Sequence, residues 1–252
     1  MIFLCFSGKD RETVVRSILY HLENYGINVW YDYHEHYLGD NKFDNYVRGI
    51  KESKYAIIVI SEHFFESSGA IEEIEVIYKE FQRRKIHIFP IFYKIKAKDL
   101  PSKYDWLSDL IYNEVDNTTG TLAICNQIIC KFLKDTISFY KYADLADCYH
   151  KLNEQVGRID NSKYLSELIN TYYNIDRNNL NGRITILYSL FLYISNLRDV
   201  CVPKYVTKSI SYLFNLTKLD LISDFKELTI VEYALVIYLN QIINIPLQGF
   251  EE

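Results

Sequence analysis

The sequence predicts an α/β fold, a parallel sheet covered by helices on both faces, followed by an all-helical domain. Three observations predict it. Four short apolar runs alternate with amphipathic helical patterns in the first half of the chain, the order that builds a parallel sheet. Those runs have no polar face, so both sides of the sheet must be covered. From about Ser138 onward the strand pattern stops and apolar stripes recur at helical spacing.

Residues 2–6 are the first run and read as a central strand. The polar stretch 7–10 leads into a helix, with Asp10 as its N-cap candidate and Val14, Val15, Ile18, Leu19 and Leu22 at helical spacing. Gly26 is placed to end that helix. Residues 27–31 are the second strand. The segment 32–41 is polar and aromatic with a turn at Gly39, and a helix over 43–51 turns Tyr46, Val47 and Ile50 inward. Residues 55–60 are the third strand. The helix after it carries Ile71, Ile74, Ile77, Tyr78 and Phe81, and closes on Arg83, Arg84 and Lys85 as the helix dipole favours. Residues 86–92 are the fourth strand, where Pro90 argues for an edge position or a strand end. A helix over 122–135 forms the last layer of a first domain spanning 1–137. In the second domain, 138–252, about five helices are expected, with stripes such as Leu145, Tyr149, Leu152 and Val156, or Val206, Ile210, Leu213 and Phe214. Turn signals separate them at Asp160 and Asn161, over 178–182, at Val202 and Pro203, and around Asp220.

The bulk numbers narrow the function classes. With 252 residues the chain buries most of its surface on folding, so no staple is required. A net charge of -5 argues against a broad basic field for nucleic acid. The five cysteines, Cys5, Cys125, Cys130, Cys148 and Cys201, show no metal-ligand spacing and read as buried free thiols of a reducing compartment. No bound metal is therefore expected; His34 and His36 alternate, but in a polar loop. The N-terminus is too short and uncharged for a signal sequence, so the cytoplasm is the expected location. Residues 184–197 are too few to span a bilayer, and 228–247 contain Glu232, Asn240, Gln241 and Asn244. Both read as buried bundle helices, and no membrane partner is expected.

One stretch carries chemistry. Residues 67–74 follow the third strand and open a helix that bears Glu72, Glu73 and Glu75 in or near its first turn. At about 100° per residue, Glu72 points nearly opposite the apolar stripe and Glu75 well away from it. Glu73 stands at the stripe's edge, about 90° from its centre. It is the acid best placed to line a cleft at the carboxyl end of the sheet, where open α/β sheets bind ligands.

Five ordered motifs in residues 1–137 resemble the TIR domains of Toll-type receptors, plant immune receptors and bacterial defence proteins. IFLCFSGKDR at 2–11 is similar to the first-strand box, close to VFLSFRGEDTR in plants. Residues 31–40 resemble the BB loop, and 56–61 the third strand with its terminal serine. Residues 68–74 fall on the plant pattern S-x-W-C-L-x-E-L with Glu73 on its acid, and FPIFY at 89–93 on the fourth-strand box. The resemblance implies a flavodoxin-like parallel sheet. It also implies an NAD glycohydrolase or ADP-ribosyl cyclase, in which the matched acid, Glu73, cleaves the nicotinamide–ribose bond of NAD. NAD is then substrate, and no cofactor is required.

By the same resemblance Phe6, Ser7 and Gly8 border the nicotinamide end of the pocket, and Trp30, Tyr31 and Asp32 line it from the neighbouring loop. The family's tryptophan is replaced here by Gly69, so Phe64 or Phe65 is expected to wall the site. Lys9 or Arg11 is expected to supply a phosphate contact. The implied setting is antiviral, anti-phage signalling, with self-association through TIR domains and a downstream effector that reads the nucleotide product. The alternative is a non-enzymatic adaptor that works by TIR–TIR association.

Overall fold

A computed structural model describes the chain except residues 36, 157–160, 198–199, 217–223 and 245–252, and the side chains of residues 33 and 244. His36 and the expected turns at Asp160 and around Asp220 lie outside the described residues. The chain divides into two compact units, Met1–Glu23 with Ile27–Cys125, and Asn24–Gly26 with Asn126–Glu252.

The first unit contains β1 (Ile2–Cys5), α1 (Arg16–Asn24), β2 (Val29–Trp30), the single turn α2 (Asp32–Glu35) and α3 (Lys42–Glu52). β3 (Tyr55–Ile60), α4 (Ser68–Gln82), β4 (His87–Tyr93), β5 (Asn113–Val115) and the start of α5 (Leu122–Ile137) follow. The sheet order is β2-β1-β3-β4-β5 and every pairing is parallel. This is the flavodoxin-like order. Every residue of β1 and β3 is buried, as a sheet covered on both faces requires. Phe3, Trp30, Tyr46, Ile58, Phe64 and Ile74 belong to one continuous core cluster.

Several local expectations are corrected. β5, Asn-Glu-Val, was not expected; a three-residue strand with one apolar side chain leaves no alternation to read. β4 is not an edge strand, since it lies between β3 and β5. Pro90 is accommodated because β5 pairs only from Ile91 onward. Asp10 makes no side-chain cap; its carboxylate instead accepts from Ser61 at the end of β3. The three acids of α4 are not in its first turn, which is Ser68, Gly69 and Ala70 behind the cap Ser67. The helix dipole therefore does little for them. Gly26 does close α1: its φ is +77°, and Ile27 N–H returns to the Leu22 carbonyl at 3.0 Å, a Schellman closure.

Among its described residues the second unit contains the remainder of α5 and five further helices, α6 (Leu145–Glu154), α7 (Ser162–Asn174), α8 (Leu180–Ser195), α9 (Lys204–Leu216) and α10 (Phe225–Asn244). Leu152, Leu165, Ile169, Leu187, Ile210 and Ile237 are fully buried, so the stripes face inward. Val156 and Phe214 depart from their stripes and are exposed. Val156 lies beyond the end of α6, and Phe214 follows the buried Leu213 on α9. Four of the free cysteines are buried; Cys201 is exposed, contrary to expectation. Among the described residues no helix is long and apolar enough to cross a membrane.

Candidate active site

The chain runs outward to opposite sides from β1 and β3, so the strand order reverses between them. A crevice at the carboxyl ends of such a pair is the usual ligand position of a doubly wound sheet. Three segments meet this end: the loop after β1, the turn after β2, and α4 after β3. Ser61 Oγ donates to Asp10 Oδ2 at 2.5 Å and accepts from Phe64 N–H at 3.2 Å, tying the first loop to the third strand.

The loop after β1 and the turn after β2 share a cluster of rings and charges. Phe6 and Tyr31 stack with centroids 5.8 Å apart. The Arg11 guanidinium lies 5.5 Å from the Phe6 centroid and 5.4 Å from that of Tyr31. Its Nη2 donates to Asp32 Oδ2 at 2.7 Å. Phe6, Ser7 and Tyr31 are buried, and Gly8 is exposed. A Cβ on Gly8 would meet nothing within 4 Å, and its backbone is not left-handed, so its role in the fold does not require glycine.

Glu73 turns inward from α4 and is 8% exposed, while Glu72 and Glu75 are exposed. Glu72 accepts from Tyr46 Oη at 3.1 Å, and Glu75 pairs with Lys103 at 2.6 Å. Around Glu73 stand Cys5, Asp32, Lys42 and Glu72. Cys5 ends β1, with its Sγ 3.8 Å from the Ala70 carbonyl. Burial pushes the Glu73 carboxyl up to about 8; the Cys5 thiol and Lys42 pull it down, and Asp32 and Glu72 push it up. Burial and the neighbouring Glu73 push the Cys5 thiol well above its ordinary range, so it stays a neutral donor. At neutral pH the acid is thus mostly protonated, and a cation placed beside it would draw off the proton.

The structure gathers Phe6, Ser7, Gly8, Tyr31, Asp32 and Glu73 at one end of the sheet. Trp30 lies deeper: it stacks on Phe3 at 4.5 Å, and its Nε1 comes within 2.5 Å of where a Cβ on Gly49 would stand. It supports the site from the core. Phe64 is fully buried, and Phe65 packs on Tyr104 and lines a cleft of 760 Å³ together with Lys94, Lys96 and Glu114. Two further clefts, of 560 Å³ beside Arg11, Tyr31 and His34 and of 290 Å³ beside Lys9, Ser61 and Tyr93, open in the same unit. Glu73 lines none of these three. Lys9 is paired with Glu66 at 2.7 Å. Sequence reasoning missed Cys5, which reads only as an apolar strand residue, and Lys42, which carries no local signal. Among the described residues no cluster of His, Cys, Asp and Glu could hold a metal ion.

Comparison with known proteins adds a family. The family described as TIR domain matches residues 2–122. NAD(+) hydrolase TcpA of a Theionarchaea archaeon is 32% identical over 139 residues, covering 54% of this chain and 41% of that protein. Probable 2′ cyclic ADP-D-ribose synthase TcpO of Methanobrevibacter olleyae is 33% identical over 110 residues, 44% of this chain and 32% of that one. 2′ cyclic ADP-D-ribose synthase AbTIR of Acinetobacter baumannii is 30% identical over 100 residues, 39% and 37% of the two. The chain spans less than half the length of each of these relatives. The parallel sheet in the order β2-β1-β3-β4-β5, the five ordered motifs and the family match agree: residues 2–122 are a TIR domain.

Proposed function

We propose that this TIR domain cleaves the nicotinamide–ribose bond of NAD, with Glu73 as its catalytic residue. The observation that carries the proposal is a buried acid, Glu73, on the helix that follows β3 at the carboxyl end of the sheet, in a domain whose relatives are named NAD hydrolases and cyclic ADP-ribose synthases. One carboxylate suffices. When the C1′–N bond breaks, its electron pair goes to the ring nitrogen, and the cationic pyridinium leaves as neutral nicotinamide. The leaving group needs no proton. What remains is an oxocarbenium-like ribose, which a fixed negative charge stabilises. Water then captures C1′ and loses its proton to give ADP-ribose, or a hydroxyl of the same molecule does so to give a cyclised product.

In this reading Phe6, Ser7 and Gly8 border the nicotinamide end, and Tyr31 and Asp32 the neighbouring side, with Trp30 behind them. The positive charge of the NAD ring beside Glu73 favours its carboxylate form, so the carboxyl gives up its proton to water as substrate binds and the buried site gains a negative charge once substrate arrives. Self-association through TIR domains, a nucleotide product read by a downstream effector, and a cytoplasmic antiviral setting belong to the same proposal. The test is to incubate concentrated protein with NAD and identify products by mass spectrometry, with Glu73→Ala alongside. Nicotinamide and an ADP-ribose product in the parent and intact NAD in the variant are expected; intact NAD in both overturns the reading.

A second reading, an adaptor that works by association, is favoured by Tyr37 and Leu38, which are 72% and 108% exposed. Its mark is a partner lost on changing residues 37–40 while Glu73→Ala leaves the phenotype intact.

A further inference from the structure

We propose that Lys42 is a positioning residue for Glu73, its ammonium admitted to the space above the carboxylate by the missing side chain of Gly69. The inference rests on the catalytic role given to Glu73 above.

The geometry comes from three residues. A Cβ on Gly69 would stand 2.7 Å from Lys42 Nζ and 3.7 Å from its Cε; among the described residues, apart from its chain neighbours and the backbone of its own helix, nothing else comes within 4 Å of that point. Any side chain at this position would displace the ammonium. Gly69 and Glu73 are one turn apart on the same face of α4. Helical side chains lean toward the N-terminus, so the Glu73 side chain extends toward the turn that carries Gly69. Lys42 is the first residue of α3, whose start is pinned by Asn41 accepting from Asp44 N–H at 3.1 Å. Its stem is thereby anchored, and its head reaches the next helix.

Gly69 has no backbone reason to be glycine. It is the second residue of α4, it lacks a positive φ, and glycine there costs helix stability relative to alanine. What the missing methyl provides is room for a cation. The groups facing Glu73 are Cys5 from β1, Asp32 from α2, Lys42 and Tyr46 from α3, and Glu72 on its own helix. Two of these are carboxylates that oppose its ionisation, and Lys42 is the cation that favours it. Arg11 is already engaged with Asp32. Lys42 is therefore the cation that offsets the neighbouring carboxylates and favours the ionised form of Glu73, on a flexible stem.

The test is a carbon-13 carboxyl titration of the full chain by NMR, with the Glu73 resonance assigned through Glu73→Gln. Lys42→Met is expected to raise the Glu73 midpoint by about one pH unit. Gly69→Ala, which displaces the ammonium while leaving Lys42 in the sequence, is expected to move it in the same direction. Midpoints that stay at the parent value in both variants overturn the proposal. The titration needs no turnover, so the role of Lys42 is tested whether or not NAD is cleaved. NAD cleavage by the parent with an unmoved midpoint in the variants would retain the activity and discard the inference.

Discussion

Ser61 Oγ donates a 2.5 Å hydrogen bond to Asp10 Oδ2, joining the loop after β1 to the end of β3 across the point where the strand order reverses. Both residues are buried, at 3% and 2% exposure, so neither side chain has water as an alternative partner. Ser61→Ala strands a buried carboxylate and is predicted to cost about 1–3 kcal/mol, read as a lower urea midpoint. Combining it with Asp10→Ala should cost less than the two single losses added together, because both remove the same interaction.

Gly49 and Trp30 give a second prediction, in which packing opposes propensity. Alanine in a helix interior gains about 1 kcal/mol over glycine. At Gly49 a Cβ would stand 2.5–2.7 Å from three atoms of the rigid, buried Trp30 indole. Overpacking of that kind costs about 1–3 kcal/mol, so Gly49→Ala is predicted to lower the melting temperature. Gly8→Ala, with open space around its Cβ, should leave it unchanged.

Glu73 predicts a pH-dependent stability. Its carboxyl titrates at about 8 in the folded chain, against an ordinary 4.5. Between those values the folded chain keeps a proton that the unfolded chain has released, so this group lowers stability progressively as pH rises through the window. Glu73→Gln removes the penalty. The variant should match the parent near pH 4 and exceed it by roughly 3–5 kcal/mol above pH 8. Chemical denaturation across that range checks it; a difference that is flat with pH would contradict it.

Arg11 yields a prediction on substrate affinity. Its guanidinium is held between two rings and a carboxylate. A lysine keeps the charge but loses the planar fork and most of the stacking. Arg11→Lys should raise the KM for NAD several-fold, because the cation is no longer held in place by the stacked rings and Asp32. Glu66→Ala, which frees the exposed Lys9, should leave KM unchanged.

The fold was legible where physics leaves a period in the sequence. β1 and β3 are uniformly apolar because both sheet faces are covered, and α6–α10 declare themselves by buried stripes. β5 was illegible because three residues cannot show a period. Asp10 looked like a helix cap because local rules favour one; a tertiary partner, Ser61, took its carboxylate instead. The helical period separated Glu73 from the outward-facing Glu72 and Glu75 but put it only at the edge of the apolar stripe; its burial depends on tertiary packing that the period does not encode. The approach of Lys42 to Gly69 depends on how α3 packs against α4, and no local pattern encodes it.

The most direct measurement is nicotinamide release from NAD by the parent and by Glu73→Gln, followed across pH. The account predicts release by the parent that rises with pH to a plateau, with a midpoint below 8 because the bound cationic ring favours the carboxylate. It predicts a loss of about 100-fold or more in the variant at every pH. Release by Glu73→Gln at the parent's rate would contradict it.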